Sequence, residues 1–159
     1  MRTPLIILSL AIIGCGGKTG PDDPLTGTWS NAACYGRTGL PDNVQSCSTT
    51  LNFARELTFE LVYIERAPPA SSVTPGCLTT HIVSGQTWSE GIKNNAQTLT
   101  LMGGGKPTVA VPGCVHDTDD KGQTADASVT VAPGDLAYAI NGKALTISTG
   151  SLIGTYTHD

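Results

Sequence analysis

The chain has 159 residues, 39% of them hydrophobic and 14% charged, with a formal net charge of −4. That length allows one domain with its own core, and the apolar share excludes a chain too polar to fold. The acidic balance, with no local cluster of Lys or Arg, argues against nucleic acid as a partner.

The N-terminus carries one positive charge, Arg2, ahead of the apolar run Leu5–Ile13. This run falls well short of the roughly 20 residues that span a bilayer. Its length and charged start fit a secretory signal, which is set aside from fold reasoning. The run closes as Leu10-Ala11-Ile12-Ile13-Gly14-Cys15, without the Ala-x-Ala ending of an ordinary cleavable signal. It resembles the signal of bacterial lipoproteins, in which aliphatic and small residues precede a cysteine that is lipidated and becomes the new N-terminus. The resemblance implies that residues 1–14 are removed, that Cys15 carries acyl chains, and that a membrane is the first partner. Two or more chains hold firmly where one holds only marginally. The residue after Cys15 is Gly16 and not the aspartate that favours inner-membrane retention, which implies the outer membrane. Residues 15–24 are rich in Gly, Pro and charge, so they read as a flexible tether with a reach of roughly 15–18 Å. Loss of Arg2 with the signal takes the net charge from −4 to −5.

From residue 25 to 159 the sequence alternates in short segments. Thr26–Ser30 opens the domain, Leu51 and Phe53 alternate with polar neighbours, and Ala54-Arg55-Glu56 turns the chain. Leu57, Phe59, Leu61 and Tyr63 share one face of the next strand. The segment Arg66–Gly76, with three prolines and two serines, reads as a loop. A strand from about Leu78 to Ser89 is expected to bend at Gly85, with a turn over Glu90–Ala96. Thr98–Met102 is then expected to form a hairpin with Thr108–Val111 across Gly103-Gly104-Gly105, followed by an acidic loop, Asp117–Asp126. Ala127–Ala132, Leu136–Ile140, Lys143–Ser148 and Leu152–Thr157 complete the strands. Asn141-Gly142 is the strongest hairpin signal, because both residues tolerate the positive φ of a type I′ turn. Nothing shows sustained helical periodicity. The expected fold is all-β, antiparallel and up-and-down.

Four cysteines remain beside Cys15: Cys34, Cys47, Cys77 and Cys114. An even number in an exported domain reads as two disulfides. A zinc site would need closely spaced pairs, and only Cys114-Val115-His116 comes near. Cys34 and Cys47 flank a Gly/Pro-containing segment whose base a local bridge would close. Cys34–Cys47 with Cys77–Cys114 is therefore favoured, with Cys34–Cys77 and Cys47–Cys114 as the alternative.

Leu25-Thr26-Gly27-Thr28-Trp29 resembles the Gly-x-Trp signature at the first strand of lipocalins and lipocalin-like bacterial lipoproteins. Gly154-Thr155-Tyr156-Thr157 is similar to the closing strand of such domains, and Cys77–Thr80 with Gly85–Trp88 to a Cys-strand-Gly-x-aromatic segment in small lipocalin-like exported proteins. No second or third lipocalin motif and no C-terminal helix is found. The resemblance implies a barrel of about eight strands with a tryptophan closing one end. Such a barrel is either filled by side chains or holds one small ligand. A two-sheet β-sandwich is the alternative fold. Trp29 and Trp88 are expected in the core.

No nucleophile elbow, Ser-x-x-Lys pair or His-Glu-x-x-His occurs. Gly103-Gly104-Gly105-Lys106 lacks the first glycine of a phosphate loop, and Pro107 stands where its Ser/Thr would. The histidines His81, His116 and His158 are scattered, and His158 is expected in solvent. Asp117, Asp119 and Asp120 partly match the start of a calcium loop, but Lys121 takes a ligand position and no closing glutamate follows. A solvated acidic hairpin is the preferred reading. No catalytic residues and no cofactor are expected. The expected function is a non-enzymatic outer-membrane lipoprotein that binds a small apolar ligand at the barrel mouth or an envelope protein through its loops. Inhibition of a lysozyme-like enzyme is the alternative, and an unrecognised hydrolase the third reading. Contact candidates are Tyr35–Asp42, Pro68–Pro75 and Asp117–Gln123, since loops on rigid β scaffolds carry function.

Overall fold

The structure, a computed structural model, describes residues 23–36, 44–67, 77–110 and 129–159. The described residues form strands and no helix: β1 Gly27–Asn31, β2 Ser46–Phe53, β3 Thr58–Ala67, β4 Cys77–Lys93, β5 Ala96–Met102, β6 Lys106–Ala110, β7 Gly134–Asn141, β8 Ala144–Ile147 and β9 Gly154–His158. Every pairing is antiparallel, and β1-β2-β3-β4-β5-β7-β8-β9 closes on itself through β1–β9. The fold is an eight-stranded up-and-down barrel, and not a two-sheet sandwich. Closure leaves these eight strands without a free sheet edge over their paired lengths.

The hairpin expected across Gly103-Gly104-Gly105 is not formed. β5 and β6 both pair with β4, running in the same direction along one edge: Thr87 faces Met102, and Ser84 faces Lys106. Two residues of β4, Gly85 and Gln86, therefore stand opposite three glycines. This is a bulge in one interrupted strand. Gly85 and Gly103 take positive φ, 86° and 83°, a conformation that other residues adopt at a cost. A Cβ at Gly105 would collide with the Val83 side chain. Local glycine chemistry suits a turn or a bulge equally; the long free edge of β4 decides for the bulge. The expected bend at Gly85 is present, and there β4 also slips by one residue against β3, between the Phe59 and Leu61 positions. The slip changes which residues point inward, from His81 and Val83 before it to Gln86 and Trp88 after it.

The turns also differ in detail from expectation. β7 and β8 form the expected hairpin, but Asn141 pairs with Ala144, so the loop is Gly142-Lys143, with Gly142 at φ 59°. Glycine at the first loop position with no positive φ at the second matches the type II′ pattern. The turn with two positive φ values is Asn94-Asn95, at 51° and 63°. It closes β4 on β5 where Lys93 faces Ala96. Between β2 and β3 the turn spans residues 54–57, closed by the Leu57 N–H donating to the Ala54 carbonyl (3.0 Å). Leu57 itself sits at φ 61°, so it belongs to the turn and only Phe59, Leu61 and Tyr63 share the buried face of β3. Residues 129–132, expected as a strand with 127–128, pair with no strand.

These turns gather at one end of the barrel, the closed end. There Leu25, Trp29, Phe53, Phe59 and Trp88 are fully buried. Phe53 lies 5.2 Å from Phe59 and 5.6 Å from Trp88 between ring centroids, within the range of favourable aromatic pairs. Both indoles are satisfied: Trp29 Nε1 donates to the Leu25 carbonyl (2.9 Å) and Trp88 Nε1 to the Ala54 carbonyl (3.1 Å). Both tryptophans are core residues, as expected. His158 is half-buried and not solvated, its ring edge-on to Trp29 at 4.7 Å. Asp23 is also part of the packed structure, 5% exposed, with Oδ1 accepting the Leu25 N–H (2.9 Å). The packed chain thus begins within the span expected for the tether.

Candidate functional site

The other end of the barrel is where β1 leads to β2, β3 to β4, β6 to β7 and β8 to β9. The connections that carry the sequence-derived contact candidates, 35–42, 68–75 and 117–123, all begin and finish at this loop end. Of them only Tyr35 and Gly36 are among the described residues. The calcium candidate Asp117, Asp119 and Asp120 lies outside them, as do Cys15, Cys114 and therefore the Cys77–Cys114 pairing. Among the described residues no group of three side chains is placed to hold a metal ion.

The described site is a groove of about 700 Å³ lined by residues 31–36, Thr49, Gly150, Ser151 and residues 153–156. It exists because β1 and β9 part. They pair at Trp29–His158 and Ser30–Thr157 and no further, while β1 stays on β2 as far as Asn31–Thr49. One bond turns the chain locally after β1, and two join it to β2. Asn31 Oδ1 accepts the Ala33 N–H (3.3 Å), and Thr49 Oγ1 donates to the Ala33 carbonyl (2.9 Å). Cys34 is joined to Cys47 of β2 by a disulfide, with Cα atoms 4.9 Å apart. The local bridge is the favoured of the two pairings considered from sequence.

The parting leaves Thr155 without a partner position on β1, while its hydroxyl lies 3.4 Å from that of Thr146 on β8. The His158 N–H donates to the Lys143 carbonyl on the β8 side, and the Asp159 N–H to the Thr28 carbonyl on the β1 side. Alternation along an antiparallel strand then directs the N–H and C=O of Thr157 and Thr155 toward β1. Thr157 meets Ser30; Thr155 faces the groove.

Of the aromatic rings at this end, Tyr35 and Tyr156 line the groove. Tyr35 lies 6.2 Å from Tyr63, which stacks on His81 at 5.6 Å. The Tyr35 hydroxyl donates to the Thr130 carbonyl (2.9 Å), and Gln86 Nε2 donates to the carbonyls of Val131 and Gly103 (both 3.1 Å). Residues 130–131 are thereby fastened between the groove and the β4 bulge. Tyr63 donates to Glu65 Oε1 (2.7 Å), with its hydroxyl 3.3 Å from Cys47 Sγ. Tyr156 donates to the Leu152 carbonyl (3.0 Å). Burial pushes the Tyr156 hydroxyl up to about 12 and raises that of Tyr35, so both stay neutral donors. Buried polar atoms without a hydrogen-bond partner are spread along the barrel: His81 Nδ1 beside Tyr63, Gln86 Oε1 at the β4 bulge opposite Phe59, and Asp23 Oδ2 at the closed end. Buried polar groups are nearly always hydrogen-bonded, so such atoms mark a place for water or a ligand.

Sequence reasoning found Tyr35 and the Cys34–Cys47 bridge but missed Asn31, Ser151, Thr155 and Tyr156. The one local signal was Asn31 just ahead of the bridge, a residue type that turns the chain through its own side chain. The fold and site define a closed antiparallel barrel, filled within and grooved at one rim. Comparison with family models, curated proteins and solved structures produced no match.

Proposed function

We propose that the chain is a lipid-anchored, lipocalin-like binding protein of the bacterial outer membrane, without catalytic activity, that engages its partner at the loop end. The observation that carries this reading is a groove at the rim of the loop end, above an interior filled by side chains. Leu51, Leu61, Val83, Leu99, Leu101, Leu145 and Ile147 occupy that interior at 0–1% exposure. This favours binding at the rim over an apolar ligand in the lumen.

The anchor fits the same arrangement. Asp23 and Leu25 pack at the closed end, so a lipid on Cys15 hangs from the closed end and the groove faces away from the membrane. The lipobox-like run ending in Cys15 supports the anchor. The test has two parts. Cys15→Ala should move the protein from the membrane fraction to the soluble fraction. Protein extracted gently from its own membrane should retain a partner in native mass spectrometry, and Ala33→Trp, which fills the groove from an exposed position, should lose it. Retention of the partner by Ala33→Trp would defeat the rim-binding reading.

A further inference from the structure

We propose that Asp23, Glu90 and Tyr138 form a proton-operated clasp, which holds residues 23–26 on the closed end while Glu90 is protonated and opens more readily once Glu90 ionises. The clasp is independent of the groove, since none of its residues lines it. Its three side chains come from three parts of the chain. Glu90 follows Trp88 on the same face of β4, Tyr138 stands on β7, and Asp23 precedes β1. Asp23 shapes its own segment: Oδ1 accepts the Leu25 N–H (2.9 Å) and its carbonyl accepts the Thr26 N–H (3.1 Å). The turn so formed buries Leu25 completely, and the Leu25 carbonyl accepts the Trp29 Nε1–H. What lifts with Asp23 is therefore the cover of Trp29.

The carboxyl of Asp23 lies within hydrogen-bond reach of that of Glu90, yet Asp23 Oδ2 is buried without a donor, in a residue 5% exposed. Two ionised carboxylates cannot bond to each other, whereas a proton on one makes it a donor to the other. The Tyr138 hydroxyl donates to Glu90 Oε1, which leaves Oε2 to carry that proton. Among the described residues no cation competes for the place. β5 sets Leu99 opposite Glu90 and holds no titratable residue. Lys93, further along β4, is paired with Asp135. Arg55, Glu56 and Lys143, on neighbouring turns, are exposed, and His158 lies against Trp29. Burial first, and then Asp23, raise Glu90 from 4.5 to about 6 against the pull of Tyr138. That difference in proton affinity limits the gain in opening to roughly thirtyfold. With the proposed anchor on Cys15, opening adds residues 23–26 to the tether, so that mild acid holds the barrel closer to the membrane; the clasp itself stands without the anchor.

Native-state hydrogen exchange on the full-length protein in detergent micelles tests the clasp. The Leu25 N–H and Trp29 Nε1–H report on it, and Trp88 Nε1–H, bonded to the Ala54 carbonyl, marks unfolding of the barrel. Corrected for the intrinsic pH dependence of exchange, protection of both reporters should fall roughly twentyfold between about pH 4 and about pH 7.5. At each pH it should respond far less to low urea than that of Trp88. Glu90→Gln supplies a permanent donor for Asp23 and an acceptor for Tyr138, so the reporters should keep their acid-state protection throughout. Tyr138→Phe removes a bond that favours the ionised carboxyl and should move the fall to higher pH. Protection that ignores pH, a fall that persists in Glu90→Gln, or a midpoint unmoved or lowered in Tyr138→Phe would each overturn the clasp. So would reporters that share the urea dependence of Trp88, since the segment would then leave only when the barrel unfolds.

Discussion

The two ends of this barrel are built on different principles. The closed end is held by packing: aromatic rings in contact, satisfied indoles, turns of two to four residues. The loop end is held by a disulfide and single hydrogen bonds from Tyr35, Thr49 and Tyr156, while both ends keep a buried polar atom without a partner, His81 Nδ1 beside Tyr63 and Asp23 Oδ2 at the closed end. Packing that is dense and apolar fixes one conformation and offers no specific contact to a ligand.

Substitutions should separate the ends. The largest effect is expected at the closed end. Trp88→Ala removes a buried ring and its bond to Ala54 and should cost about 3–5 kcal/mol in urea unfolding. A cost under about 1 kcal/mol would mean that the aromatic cluster does not hold the barrel. Next, the Cys34→Ser, Cys47→Ser double variant should lose about 3 kcal/mol, the value for a loop of this size. It should also let β1 approach β9, so amide protection should spread toward Thr155.

The closed end carries a pH dependence of its own. Burial and the nearby Asp23 carboxylate push Glu90 up to about 6 from an ordinary 4.5, although the Tyr138 hydroxyl, which donates to Glu90 Oε1, pulls the other way. Folded Glu90 keeps its proton at pH values where the unfolded chain has lost it. Stability from this group is therefore full below pH 4.5 and is lost as pH rises through 6. The urea midpoint should fall over that window, and Glu90→Gln should flatten the fall; a slope unchanged in the variant would remove Glu90 as its source. A smaller effect is expected from Tyr35→Phe, which forfeits one bond to the Thr130 carbonyl, about 0.5–1.5 kcal/mol. Lys93→Ala breaks an exposed ion pair with Asp135 at 2.7 Å and should leave the midpoint where it was, since such pairs contribute little.

How much of this was legible in the sequence follows the same division. The alternation of Phe59, Leu61 and Tyr63, the Gly-x-Trp strand and the glycine bend at position 85 are local patterns, and the barrel and its tryptophan core follow from them. The triplet Gly103-Gly104-Gly105 suits a hairpin or a bulge, and only the reach of β4 chooses. Asn94-Asn95 tolerates positive φ as Asn141-Gly142 does, so local chemistry does not rank the two turns. The groove was not legible at all. Its walls, residues 31–36, 150–151 and 153–156, are far apart in the chain, and it opens because bonds to β2 pull β1 from β9.

Hydrogen exchange at two amides of β9 reads that opening directly. Thr157 pairs with Ser30 and should be strongly protected, whereas Thr155, two residues away on the same edge, should exchange near the rate of an unprotected amide. Equal, strong protection of both would mean that β1 and β9 stay paired to the rim, and the groove would not exist as a place for a ligand.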